Sequence, residues 1–188
     1  MQRLRPIDEL RSFAARHTLS EPVLAEDHDG QHLFVYSNDK RRRYAYSLTW
    51  EPKSHHLLWV MLNPGTGESE GRRRNTFERC KHWSQTLGFG GLLFGNVFSI
   101  RSKSARELLS LKPAADPLND EALLMLSGLA EQTIVAWGNH GAKSERPLQL
   151  AATLKEAKCF GYTQSGQPRH PLYVRGDTDL VPWPLSDA

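Results

Sequence analysis

Cysteine is scarce in this chain, with only Cys80 and Cys159 among 188 residues. Two thiols are too few for a disulfide scaffold or a cysteine-based zinc site, and they imply a reducing, cytoplasmic setting. Long apolar runs are missing as well. None approaches the ~18 residues that a membrane helix needs, and Met1-Gln2-Arg3-Leu4-Arg5-Pro6 lacks the apolar core of a secretory signal. No Walker loop, G-x-G-x-x-G, H-E-x-x-H or G-x-S-x-G elbow occurs. The eight histidines and 21 acidic residues show no metal-ligand spacing. No metal, no cofactor and no membrane partner is therefore expected. Internal repeats and low-complexity linkers are also absent.

What is there reads as one soluble domain: 39% apolar and 24% charged residues over 188 positions, enough chain for a proper core. The net charge of +3 fits nucleic-acid contact without requiring it. Lys40-Arg41-Arg42-Arg43 reads as a solvated surface run. Arg72-Arg73-Arg74 follows closely on the candidate site described next.

The most informative segment is Leu57-Leu58-Trp59-Val60-Met61-Leu62-Asn63-Pro64-Gly65-Thr66. Its apolar half suits a buried strand, and Asn-Pro-Gly then forces the chain out of it. Ahead of it, Ile7 to His17 has helical spacing, and residues 33–36 and 44–48 flank a turn at residues 37–40 as an antiparallel hairpin. Behind it, strands and helices alternate. Strands are expected at residues 57–62, 91–98, 133–137 and 158–162, and helices at 76–87, 104–110, 120–130 and 148–157, with Asp116 or Asn119 as a cap. Such alternation implies βαβ units with right-handed connections. The expectation is a single domain over residues 1–188. Residues 1–52 form an N-terminal helix and β-hairpin extension. Residues 53–176 form a three-layer α/β/α core with a mainly parallel, four-stranded central sheet.

In an open α/β sheet, ligands sit beyond the carboxyl ends of the strands. The unusual polar residues fall there: Asn63 after the first strand, Asn96 in the second, Gly138-Asn139-His140-Gly141 after the third, and residues 163–171 with Arg169-His170-Pro171 after the fourth. Each has a structural alternative. Asn63 can be an ordinary turn residue, Asn96 can bond a neighbouring backbone, Trp137 suits the core, and His140 suits a solvent-facing helix start. Their convergence on one sheet edge argues for a site.

These residues resemble a known bacterial family. Leu62-Asn63-Pro64-Gly65-Thr66, Gly90-Gly91-Leu92, Asn96, Ala136-Trp137-Gly138-Asn139-His140-Gly141 and Gly166-Gln167-Pro168-Arg169-His170-Pro171-Leu172-Tyr173 look like domain-of-unknown-function family 1643, over about residues 30–175. More distantly, the motif order resembles the uracil-DNA glycosylase superfamily, in particular its mismatch-specific branch. Met61-Leu62-Asn63-Pro64-Gly65 is similar to its G-I-N-P-G, residues 92–98 to the strand bearing its base-reading Asn, Val135-Ala136-Trp137-Gly138 with Ala142 and Lys143 to its W-G-x-x-A-x-K strand end, and His170-Pro171 to the start of its H-P-S loop. Met61 stands in place of the usual Gly, and Leu172 in place of the Ser that is a backbone-phosphate contact in the glycosylases.

The resemblance implies cleavage of the N-glycosidic bond of a damaged or modified base in DNA. Asn63 would place the attacking water and His170 would stabilise the leaving base. Asn96, Phe77, Phe98, Gly65 and Thr66 would contact the base, with Phe94 a further candidate for stacking. Arg72, Arg73, Arg74 and Arg169 would meet phosphates, while Pro64, Gly138, His140, Gly141, Gln167, Pro168 and Pro171 would shape the loops. Two alternatives are a non-catalytic binder of nucleotides or modified bases, and a hydrolase or transferase of free nucleosides. The partner expected is DNA or a nucleobase-containing ligand.

Overall fold

The run His56–Met61 is a strand, and every one of its six residues is buried. Alternation sends Leu57, Trp59 and Met61 to one face of a sheet and Leu58 and Val60 to the other. The computed structural model that shows this describes residues 5–67, 75–154 and 156–184. Arg72, Arg73 and Arg74 lie outside the described residues.

In chain order the elements are α1 (Pro6–Arg16), β1 (Val23–Asp27), β2 (Gly30–Tyr36), β3 (Arg43–Thr49), β4 (His56–Met61), α2 (Asn75–Thr86), β5 (Gly91–Asn96), α3 (Ala105–Ser110), α4 (Pro117–Leu129), β6 (Gln132–Val135), α5 (Arg146–Gln149), β7 (Lys158–Cys159) and β8 (Val181–Pro182). Single 3₁₀ turns occupy Asn139–Lys143 and Pro171–Tyr173.

The strands form one eight-stranded sheet in the order β1-β2-β3-β5-β4-β6-β7-β8. Strands β5, β4, β6 and β7 run parallel, and the rest pair antiparallel. This corrects the expected four-stranded sheet with a separate hairpin extension. The parallel set is the inner part of a larger mixed sheet. The reason is that β3 pairs with β5, Tyr46 opposite Phe94, so the N-terminal strands continue the sheet.

Both faces are covered. Leu10, Phe13 and Ala14 of α1 and Ala122, Leu123 and Leu126 of α4 pack on the Leu58–Val60 side. Phe77, Cys80 and Trp83 of α2 pack on the Trp59 side. Burying each large apolar side chain of this kind contributes about 1.5–3 kcal/mol. Asp116 caps α4 by accepting from Leu118 N–H. At α3, the N-cap Ser104 accepts from Glu107 N–H, and the Glu107 carboxylate accepts from Lys103 N–H, one residue before the cap.

Two expected elements are shorter than their pattern. The helix expected at residues 148–157 is only Arg146–Gln149, and Glu156 at φ 52° swings the chain into β7. The strand expected at 158–162 stops at Cys159, before Gly161 at φ 77°. Among the described residues, no helix is long and apolar enough to cross a membrane.

Candidate functional site

Strands β4, β5 and β6 are parallel, so their carboxyl ends share one edge. A cavity of about 710 Å³ opens there. Asn63, Asn96, Trp137, Gly138, His140 and His170 all line it. Residues expected to converge from four separate segments therefore do so.

Asn63 sits where β4 gives way to the Pro64-Gly65 turn. Its amide nitrogen donates to Pro64 O (3.0 Å), Ser102 O (3.3 Å) and Ser102 Oγ (3.0 Å). Ser102 N–H returns a bond to Pro64 O at 3.1 Å. The turn after β4 and the loop after β5 are thereby tied together. The amide nitrogen is committed to this tie, which leaves the side-chain carbonyl oxygen as the remaining polar group of Asn63.

Asn96 ends β5 opposite Met61 and is 2% exposed. Its side-chain amide nitrogen is buried and has no hydrogen-bond partner. A buried donor in that state costs free energy, and in a native fold it calls for an explanation. The main chain at this point is held firmly. Asn119 of α4, read from the sequence as a possible cap, is instead buried and donates to Asn96 O at 2.9 Å.

The loop that carries His170 is stitched to the end of β6. Trp137 Nε1 donates to Gln167 Oε1 (2.9 Å) and Gly138 N–H donates to Pro168 O (3.0 Å). Gly138 has φ 70°, and a Cβ there would lie 3.1 Å from His170 Cβ, so a bare backbone suits this position. On the far side, Arg79 of α2 donates to Val174 O at 2.6 Å. His170 Nδ1 accepts from Leu172 N–H at 3.4 Å, which puts the proton of a neutral ring on Nε2. Burial, with His140 adding repulsion, pushes the His170 pKa down to about 4. His170 is neutral at neutral pH.

Phe77 and Phe94 line the cavity, as does Tyr46. Phe98 does not. The chain bends after Asn96, which breaks the strand's alternation, and Phe98 packs in the core on the opposite face. Gly65 and Arg169 belong to the lining, and Thr66 falls outside it. Pro64, Gly141, Gln167, Pro168 and Pro171 are not lining residues either; their part lies in the loop bonds and turns around the cavity.

Sequence reasoning missed Arg43, Tyr46, Ser102 and Lys103, all of which line the cavity. The basic run at residues 40–43 is not wholly a solvated surface. Arg42 pairs with Asp116 at 3.0 Å, and Arg43 is 7% exposed. Among the described residues, no group of three or more His, Cys, Asp or Glu side chains could hold a metal ion.

A family model described as "Protein of unknown function (DUF1643)" matches residues 43–172. That stretch runs from the start of β3 through His170. No curated protein matches the chain, and no solved structure does.

Proposed function

The chain belongs to the DUF1643 family, and from the cavity it carries we propose a protein that recognises a nucleobase and cleaves its N-glycosidic bond in DNA. The observation that carries this reading is Asn96. Asn96 lines the cavity together with Asn63 and His170, and its amide nitrogen is buried without a partner. An amide presents a donor and an acceptor side by side, the pattern of a base edge. A base reaches such a pocket only when turned out of its stack.

Glycosidic cleavage leaves negative charge on the departing base and positive charge on the sugar. His170, neutral with its proton on Nε2, donates a hydrogen bond to the base oxygen as that charge grows. Asn63 accepts from the incoming water through its carbonyl oxygen. An amide is too weak a base to deprotonate that water, so turnover is slow and rests on leaving-group stabilisation. Phe77 and Phe94 offer aromatic surface beside the base. The four inner parallel strands, each ending in a motif similar to those of the uracil-DNA glycosylase superfamily, are read on this proposal as a variant of that three-layer fold.

The test is base release from duplexes carrying uracil, mismatched thymine and modified pyrimidines. Release that is lost in Asn63→Ala and His170→Ala is expected. No release from any duplex by folded protein, or release that survives both substitutions, rejects the catalytic reading. A second reading, a binder of nucleotides or modified bases without chemistry, is favoured by Met61 and Leu172, which stand in place of the Gly and Ser of the glycosylase motifs. Tight binding without turnover distinguishes it.

A further inference from the structure

Arg43 reaches the cavity through a fault in strand pairing. Val35 lies opposite Ala45, but Tyr36 lies opposite Arg43, so Tyr44 is an extra residue in β3. Tyr44 and Ala45 accordingly both pack on the α1 and α4 side of the sheet. In an unbroken strand, Arg43 would point away from Tyr46, an odd number of positions on. With the bulge it shares the face of Tyr46. Its guanidinium carbon lies 5.6 Å from the centre of the Tyr46 ring, and both residues line the cavity. Bulges beside functional sites commonly re-aim a side chain in this way.

The ring beneath Arg43 is itself anchored. The Tyr46 hydroxyl is 2.9 Å from His32 Nδ1, and His32 Nε2 is 2.8 Å from Asp27 Oδ1. His32 and Tyr46 are both buried. A tyrosine held through its hydroxyl gives the guanidinium a fixed, electron-rich platform. Asp27 and His32 lie outside the stretch matched by the family model, so this support comes from the N-terminal strands.

Among the described residues, the Lys, Arg, Asp and Glu side chains that line the cavity are all cationic. Arg43, Lys103 and Arg169 line it, and no Asp or Glu does so among the described residues. Arg43 differs from a surface cation in being 7% exposed. The space is also generous: about 710 Å³ falls in the range of pockets that enclose whole small molecules. The unpartnered Asn96 amide independently marks the same space as built for a ligand.

We propose that the ligand brings an anion into this cavity together with its base: a nucleotide whose base edge meets Asn96 and whose own phosphate meets Arg43. The planar guanidinium fork suits a phosphate. This rests on the nucleobase reading above and adds that the phosphate enters the cavity instead of staying on its rim.

The experiment is calorimetric titration of the full chain with the common nucleosides and with their 5′-monophosphates. At least one monophosphate should bind about tenfold or more tightly than its nucleoside, the scale of a charge-assisted hydrogen bond. Arg43→Gln should bring that monophosphate down to the level of the nucleoside, and Arg43→Lys should keep part of the difference. Competition by a single-stranded oligonucleotide assigns the phosphate to DNA; lack of competition assigns it to a free nucleotide. Equal affinity of nucleoside and monophosphate for the unaltered protein overturns the inference and leaves the base pocket standing, with no variant needed. A phosphate preference that persists in Arg43→Gln overturns it too. Failure of every nucleoside, nucleotide and oligonucleotide to bind overturns the nucleobase reading and this inference with it.

Discussion

Asn63 holds Ser102 twice, through its carbonyl oxygen at 3.3 Å and its hydroxyl at 3.0 Å. The two residues lie 39 positions apart, on the loops that follow adjacent parallel strands. The bond orients the Asn63 amide so that its oxygen, not its nitrogen, is left for water. Ser102 is therefore a positioning residue for the proposed chemistry. It also accepts from Asn63 while its own hydroxyl donates to Ser104 O at 2.9 Å.

Ser102→Ala should lower stability by about 1 kcal/mol, the usual worth of a hydrogen bond. Turnover should fall several-fold with little change in base affinity, because the water and not the base depends on Asn63. Single-turnover rates and equilibrium titrations separate the two. A loss confined to affinity would place Asn63 against the base instead.

Much of this arrangement was legible because it follows from periodicity and turn chemistry. The Leu57 run, the Gly91 run and the Thr133 run each show a strand with a polar end, and parallel pairing then brings Asn63, Asn96 and His140 to one edge. Arg43 was not legible. Its place depends on the antiparallel pairing of β3 with β5 and on the bulge at Tyr44, and a bulge leaves no mark in an alternating run of Arg43-Tyr44-Ala45-Tyr46. Phe98 was misplaced for a related reason. The strand pattern continues past Asn96 in the sequence, whereas the backbone bends there. Asn119 looked like a cap because it opens a helix, and only the packing of α4 on β5 turns it inward to Asn96 O.

Gly141 tests whether the His170 loop must be pinned to β6. A Cβ at Gly141 would press on Trp137 Cδ1 and Nε1 and lie 2.7 Å from Gln167 Oε1. Those are the partners of the Trp137–Gln167 hydrogen bond. Gly141→Ala should cost about 1–3 kcal/mol through overpacking and weaken ligand binding by loosening His170. Thermal melts and titration of the variant check this; a melt equal to that of the unaltered chain would show that the loop gives way freely.

His170 makes a pH signature. Its folded pKa of about 4 lies below its ordinary value of 6.5. The unfolded chain therefore takes up a proton that the folded chain refuses as pH falls from about 6.5 to about 4. Stability is fully present above that window and is lost progressively through it, by on the order of 2 kcal/mol after allowing for the partly solvated ring. Urea melts at pH 7 and pH 4.5 should show this loss, and His170→Gln should reduce it. On the proposed chemistry, in which the neutral ring acts, activity should persist to about pH 5. His140→Gln removes the repulsion that helps to depress the pKa, so its acid limb should move to higher pH. An acid limb that stays in place would leave burial alone as the cause.

Asn96 sets function against stability. Its amide nitrogen is buried without a partner, a state that costs about 1–3 kcal/mol relative to a satisfied or apolar group. Leucine has nearly the shape of asparagine and no such donor. In the absence of ligand, Asn96→Leu should melt at the same temperature as the unaltered chain or above it. The same substitution should reduce nucleotide affinity by about tenfold or more, since the base edge loses its reader. Asn96→Asp should do the opposite to stability, because it buries a carboxylate beside the apolar strand β4. A core asparagine with a purely structural role predicts the reverse pattern for leucine: a lower melting temperature and unchanged binding. Melting and titration of the two variants side by side therefore decide whether the unpaired amide is kept for the fold or for the ligand.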